Sequence, residues 1–171
     1  MPLQLEIKGD NNMNEKVTVI SNSKSIVSVF VPELKLKKTW NKKGSKIAID
    51  KEVLEEAMYD PGVEYMFKTG ILYIKDMQDK IDLGLEPEGA TKPENIIILT
   101  DDEKKEWMSP KKQAWELKTM LEKLSHESRK DFCDFVIENE LLEGKKAEVI
   151  KEVCGVDIVR AIQLKQANEA E

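Results

Sequence analysis

The feature that most constrains the fold is a change of hydrophobic period near the middle of the chain. In the first third, apolar side chains tend to alternate with polar ones, as they do in β-strands, whose successive side chains point to opposite faces. After residue 93, apolar side chains recur at spacings of three and four, the pattern of amphipathic helices. The sequence therefore predicts an α+β protein in which a β-rich part is followed by a helical bundle.

The segment 86–93 separates the two patterns. It reads Glu-Pro-Glu-Gly-Ala-Thr-Lys-Pro, and its two prolines and one glycine are typical of a linker or a long loop. We predict a β-rich domain over 1–85, a linker over 86–93 and a helical domain over 94–171. A chain of 171 residues has room for two small domains, since domains typically have about 50–250 residues.

Three apolar runs predict the first strands: residues 3–7, the run that contains Val17 and Val19, and residues 25–31. Turn-forming residues separate the runs, and Pro32 ends the third. Because the third run is apolar at nearly every position, we expect a strand that is covered on both faces.

Residues 40–85 predict a strand, two short helices and a second strand. Asp50 can cap the first helix, the Asp-Pro-Gly sequence at 60–62 ends it, and Gly70 ends the second helix. A further turn or two of helix is expected over 76–85. With the preceding strands, these elements predict a small antiparallel sheet with two short helices.

Helix start signals mark the second part of the chain. Thr100 and Glu103 have the spacing of a capping box, and Ser109 stands before Pro110 at an expected first helical position. The apolar stripes that follow predict a bundle of four or five helices. Its C-terminal core is expected to contain Phe132, Phe135, Val149, Ile150, Val153, Ile158 and Ile162.

The sequence offers little for catalysis. His126 is the only histidine, and the nucleophile-elbow, zincin, P-loop and dinucleotide-binding motifs are all missing from the chain. Adjacent acids occur, but among 33 carboxylates such pairs more often lie on solvated helix faces. We predict a protein that is not an enzyme and uses no cofactor and no metal. A small carboxylate enzyme would instead need a deep pocket lined by converging acids.

The cysteines and the hydropathy pattern indicate the cellular compartment of the protein. Cys133 and Cys154 lack CxxC spacing, so buried free thiols are expected. No apolar run approaches the roughly 20 residues that span a bilayer, and the first residues lack a signal-peptide pattern. We predict a cytoplasmic protein with no membrane partner.

The most distinctive chemical feature is the segment 34–46, which has six lysines, one tryptophan and no acid in a chain of net charge −6. Lysines neutralise phosphates or carboxylates, and an exposed tryptophan stacks on bases. The alternative is an edge strand guarded by lysines, with Trp40 packed inward. Lysine lacks the forked geometry that reads bases, so nucleic acid is the less favoured partner. The candidate binding residues are Lys35, Lys37, Lys38, Trp40, Lys42, Lys43 and Lys46.

A second candidate for nucleic-acid binding is the pattern of helix, Gly-Val turn and helix over 147–162. Residues 145–171 carry five basic and five acidic groups, so attraction to phosphates would be slight and ordinary helix-hairpin packing is favoured. The second helix of this pattern would present Asp157, Arg160, Gln163 and Lys165.

Several segments resemble small accessory proteins of tailed-phage virions. They are residues 39–44 (Thr-Trp-Asn-Lys-Lys-Gly), the apolar positions after them, residues 70–76 (Gly-Ile-Leu-Tyr-Ile-Lys-Asp) and, by a similar resemblance, residues 150–162. The resemblance covers less than half of the chain. It implies a structural or assembly protein of a phage particle, located in the host cytoplasm or in the virion. Its partners would be phage structural proteins or further copies of itself. The alternative prediction is a small nucleic-acid-binding regulator that uses residues 35–46 or the C-terminal helix pair.

Overall fold

The structure is a computed structural model that describes residues 15–171. The chain divides into two compact units, the first ending at Ile96 and the second beginning at Ile97. All strands of the described residues lie in the first unit and the second unit is helical, so the predicted α+β class is confirmed. The predicted strand over 3–7 lies outside the described residues. The division falls shortly after the predicted linker, and residues 86–93 belong to the first unit.

Within residues 15–96, five strands and three α-helices are formed. The strands are β1 (Lys16–Ser21), β2 (Val27–Val31), β3 (Leu36–Trp40), β4 (Lys46–Asp50) and β5 (Leu72–Tyr73). The helices are α1 (Lys51–Ala57), α2 (Pro61–Lys68) and α3 (Met77–Asp82).

The strands form two antiparallel sheets. One has the order β4-β1-β5, and β1 is its central strand, with Val17 opposite Ile49. Val17 and Val19 are fully buried while Thr18 between them is exposed, as the alternating pattern predicts. The other sheet is the β2–β3 hairpin.

The β2–β3 hairpin is closed by a 3₁₀ turn over Pro32–Leu34. Lys35 follows the turn in the left-handed region, with φ of 52°, and its N–H donates to the carbonyl of Pro32. In β2 the valines are buried and Ser28 and Phe30 between them are exposed. The prediction of a strand covered on both faces is therefore wrong. The apolar Phe30 occupies an outward position that the composition of the run concealed.

The first core lies between the hairpin, the three-stranded sheet and the helices. Trp40 at the end of β3 is fully buried, and its indole Nε1 donates to the carbonyl oxygen of Val19 at 3.0 Å. The N-termini of α2 and α3 are capped by the side chains of Asp60 and Asp76. Asp50 precedes α1 but does not cap it, since its carboxylate pairs with Lys16 at 3.3 Å.

A buried carboxylate organises the proline-containing loop of the first unit. Glu86 is 4% exposed, and its oxygens accept hydrogen bonds from the backbone N–H groups of Glu94, Asn95 and Ile96 at 3.0–3.3 Å. Between these anchors, residues 87–89 and 91–93 are exposed. The loop is thus tied to the first unit at its two ends and open in the middle.

Limited proteolysis is expected to cut near Gly89, where the chain is exposed. Glu86→Ala removes the acceptor of three backbone N–H groups, and each such charge-assisted bond is worth about 1.5–3 kcal/mol. We therefore expect cleavage of residues 87–95 to accelerate by about tenfold or more, because proteases cut locally opened chain. Glu88→Ala is the control, since Glu88 is exposed. Equal cleavage rates for the two variants would contradict the anchoring role of Glu86.

Within residues 97–171 five helices are formed, in agreement with the predicted helical bundle. Thr100 caps the first of them with the predicted capping box to Glu103. The prediction that Ser109 starts a helix is wrong, because its hydroxyl donates to the carbonyl of Glu106 and so closes the preceding helix. The helices are α4 (Asp101–Trp107), α5 (Ala114–Lys123), α6 (His126–Glu138), α7 (Gly144–Cys154) and α8 (Ile158–Glu169).

Side chains from α5, α6, α7 and α8 form the core of the second unit. Six of the seven predicted core residues on α6, α7 and α8 are found there, and of these Val149 and Val153 are half-buried. The seventh, Phe135, is buried but lies outside this cluster. Two lysines are also buried. Lys104 pairs with Asp131 at 2.6 Å, and the ammonium of Lys146 donates to the carbonyl of Ser109.

Candidate interaction site

The outward side of the β2–β3 hairpin carries an apolar and basic surface. We call it the hairpin face, and it comprises Ile26, Ser28, Phe30, Lys37 and Thr39. Ile26 and Phe30 are 68% and 66% exposed. Phe30 stands directly opposite Lys37 in the strand register. Ser28 stands opposite Thr39, and their hydroxyls are 3.0 Å apart.

The alternation of side chains along β2 and β3 determines which residues form the hairpin face. Val27, Val29 and Val31 point into the core, so Phe30 and Ser28 must point away from it. In β3, Leu36 and Trp40 point inward and Lys37 points outward. Because the inward side is anchored by a packed core, the outward side chains are presented on a rigid ladder.

The structure separates the predicted site residues into three groups. Lys37 lies on the hairpin face itself. Lys35, Lys42 and Lys46 are exposed in the turns that follow β2 and β3 or at the start of β4. The remaining two lysines, Lys38 and Lys43, are half-buried. The structure thus places four of the six lysines where a partner can reach them.

Trp40 requires a correction. As a stacking residue it would need an exposed ring, but the side chain is fully buried and its N–H is bonded to Val19. The inward-packing alternative is therefore the one observed. The exposed aromatic ring of the hairpin is Phe30, which sequence reasoning missed. Its position out of phase with the valines at 27, 29 and 31 was the signal that could have identified it.

The exposed lysines of the hairpin keep their charge available. Among residues 15–171, no ion pair is formed by Lys35, Lys37, Lys42 or Lys46. In the same unit, by contrast, Lys51 contacts three carboxylates, those of Glu15, Asp79 and Asp82, at 2.6–3.2 Å. The hairpin therefore presents unneutralised positive charge beside its apolar side chains.

A second surface of the first unit has the opposite charge. An open groove of about 600 Å³ is bordered by α1, α2 and the residues that end α3. Its lining includes Glu55, Glu56, Met58 and Tyr59, and the Tyr59 side chain is 88% exposed. We call it the acidic groove.

Two further acids of the acidic groove already have partners. Glu64 pairs with Lys68, and Asp82 accepts a hydrogen bond from Lys51 at 2.6 Å. The Lys51 ammonium holds the pKa of the Asp82 carboxyl below its usual range. A general acid needs a raised pKa, so Asp82 is suited to remain an anion. Glu55 and Glu56 form no ion pair within the described part of the chain.

No protein-family model, curated protein or solved structure matches the chain. The resemblance to accessory proteins of tailed-phage virions therefore stays a prediction.

Over residues 15–171, no group of three or more His, Cys, Asp or Glu side chains is arranged to hold a metal ion. No helix in the same range is long and apolar enough to cross a membrane.

The two cysteines are free thiols that line one cavity of about 170 Å³ with His126 and Arg129. A hydrogen bond with Cys154, together with burial, raises the pKa of the Cys133 thiol. The same hydrogen bond and the positive charge of Arg129 lower the pKa of Cys154. Cys154 is also the more accessible of the two.

Alkylation of the native protein is therefore expected to modify Cys154 at least about tenfold faster than Cys133, because thiolate fraction and access set the rate. Mass spectrometry of iodoacetamide-treated protein measures both sites. In Cys154→Ser, the remaining thiol should stay unmodified until denaturant is added. Rapid labelling of Cys133 in the native protein would contradict its burial.

The predicted helix-turn-helix pattern corresponds to α7, a turn and α8. Gly155 ends α7 in the left-handed region with φ of 72°, and Asp157 caps α8. Two cations of this pair are engaged, since Lys151 lies 3.6 Å from Asp157 and Lys165 lies 3.3 Å from Glu140. Neighbouring carboxylates thus already neutralise these two cations of the helix pair.

Proposed function

We propose that the protein is a non-enzymatic interaction component whose hairpin face binds a partner protein. The observation that carries this proposal is the exposure of Ile26 and Phe30 on a rigid hairpin beside unpaired lysines. Covering a large apolar side chain on an exposed sheet face is favourable in free energy, because it removes apolar surface from water. The surrounding lysines then select a partner that surrounds an apolar patch with carboxylates.

The setting that we propose is the assembly of a phage particle. The segments that resemble accessory virion proteins include residues 39–44, which end β3 and begin the turn beside the hairpin face. The β-rich unit and the helical unit would each contribute contacts to the assembly.

A second candidate function is binding of single-stranded nucleic acid. It is favoured by one observation, the pairing of exposed Phe30 with Lys37 on a sheet, because aromatic rings on strands stack bases while lysines contact phosphates. Three features make it the weaker candidate. Ile26 has no π face, the cations are lysines and not arginines, and the net charge of −6 opposes approach to a polyanion.

Selection from a displayed library of random peptides tests the proposal. Peptides that bind the wild-type protein are expected to combine Asp or Glu with aromatic or aliphatic residues. Phe30→Ala or Lys37→Gln should each weaken their binding by about tenfold, as expected for a central anchor and its charged neighbour. Tyr65→Ala is the control, since Tyr65 is 62% exposed in the same unit but lies outside both surfaces.

The competing function is measured in parallel with a fluorescent oligothymidylate at physiological salt. No binding is expected. If the oligonucleotide binds, Phe30→Ala abolishes that binding and no acidic peptide class is enriched, the nucleic-acid function replaces the proposed one.

A further inference from the structure

We infer that the partner of the hairpin face is the acidic groove of a second copy of the chain, so that copies associate head to tail. This inference rests on the proposed function and names its partner. The hairpin face calls for an apolar patch bordered by carboxylates, and the first unit carries such a patch itself.

The two surfaces match in charge. The hairpin contributes unpaired lysines, with Lys37 on the face itself. The acidic groove contributes Glu55 and Glu56, which form no ion pair within residues 15–171. Opposite charges across an interface fix the register and suppress wrong partners.

The two surfaces also match in apolar character. Phe30 and Ile26 protrude from the hairpin face, and the acidic groove offers Met58 and Tyr59 within an open volume of about 600 Å³. An aromatic side chain that enters a groove lined by a second ring and a thioether gains favourable contacts with both. The groove therefore supplies the apolar centre that the hairpin face requires.

Within residues 15–171 of one copy, neither surface is covered. Phe30 is 66% exposed and Tyr59 is 88% exposed in the isolated chain, so the hairpin face does not occupy its own groove. Contact between them must come from different copies. In the head-to-tail arrangement the contact is heterologous, and repeated association produces a ring or an open chain.

Two double variants test the two sides of this contact separately. The hairpin variant carries Phe30→Ala and Lys37→Gln, and the groove variant carries Glu55→Gln and Tyr59→Ala. All four side chains are exposed, so both variants are expected to fold. The control variant carries Tyr65→Ala and Glu52→Gln, which remove a ring and an acid of the same unit outside both surfaces.

Sedimentation velocity over a range of protein concentrations measures the outcome. Wild type and control are expected to form species larger than dimers, with association that weakens as salt is added. The hairpin variant alone and the groove variant alone should each remain monomeric. Their equimolar mixture should form a dimer and nothing larger, because only one intact hairpin face and one intact groove remain in each pair.

Three results would overturn the inference. One is a wild-type protein that stays monomeric at the highest concentration. Another is association that survives in the groove variant but not in the hairpin variant, which would indicate contact between two hairpin faces. The third is a mixture without dimers. If peptide selection still yields acidic and apolar sequences in these cases, the proposed function stands with a different partner. If peptide selection yields no such sequences, both the proposed function and the inferred self-association are wrong.

Discussion

Replacing Trp40 by alanine is expected to lower the free energy of unfolding by about 3–5 kcal/mol, because the change leaves a cavity in the core of the first unit. The side chain is fully buried. The change also removes the indole donor of a hydrogen bond to the carbonyl of Val19, which joins β3 to the central strand of the neighbouring sheet. Urea denaturation followed by circular dichroism measures the loss. Hydrogen exchange of the β1 amides assigns it to the first unit.

Two variants make the Trp40 experiment specific. Trp40→Phe keeps an aromatic ring but lacks the N–H, so we expect a smaller loss of about 1–3 kcal/mol, the cost of a buried acceptor left unpaired. Trp115→Ala removes a ring that is 67% exposed and should change stability by less than about 0.5 kcal/mol. Equal effects of Trp40→Ala and Trp115→Ala would mean that Trp40 does not fill the core.

Strand and helix patterns were predictable where one face of an element is buried. The valines of β1, the capping box at Thr100 and the stripes of α6 to α8 follow from local periodicity. Such signals exist because burial on one face imposes a repeat on the sequence. The outward position of Phe30 follows from the same repeat. The prediction missed it because a run that contains phenylalanine among valines is nearly all apolar, as in a strand that is buried on both faces.

Other features depend on contacts that no local pattern encodes. Trp40 is buried because the end of β3 lies beside β1, which is remote in sequence. Ser109 fails as a helix cap because its hydroxyl is already bonded to the carbonyl of Glu106, and Gln113 takes the capping position of α5 instead. The acidic groove is assembled from residues 55–85 by the packing of three helices, so its residues gave no motif in the sequence.

Buried lysines are the hardest features to predict from a charged helix. Lys104 stands in a run of acids and lysines, yet its side chain is only 4% exposed. Its ammonium lies 2.6 Å from Asp131, 3.4 Å from Asp101 and 5.1 Å from the centre of the Phe135 ring. The charge is buried only because α6 supplies a carboxylate and an aromatic face four residues apart.

Removing one partner of this pair is expected to be strongly destabilising. Lys104→Met or Asp131→Leu alone should lower the free energy of unfolding by about 3–5 kcal/mol, since each removes the 2.6 Å ion pair and leaves the other charge buried with weaker compensation. The double variant should recover most of the loss, because an apolar pair of similar size avoids the cost of desolvating two charges. Denaturation of the four proteins in this cycle yields the coupling free energy.

The exposed pair between Lys118 and Glu152 is the matched control for this cycle. Its ion pair, 2.8 Å long, joins side chains that are 43% and 60% exposed, so solvent screens the interaction. We expect replacement of Lys118 by methionine to have a much smaller effect than Lys104→Met. If the double variant of Lys104 and Asp131 is no more stable than either single variant, the loss arises from packing around α4 and α6. In that case the buried ion pair does not account for the stability of this part of the second unit.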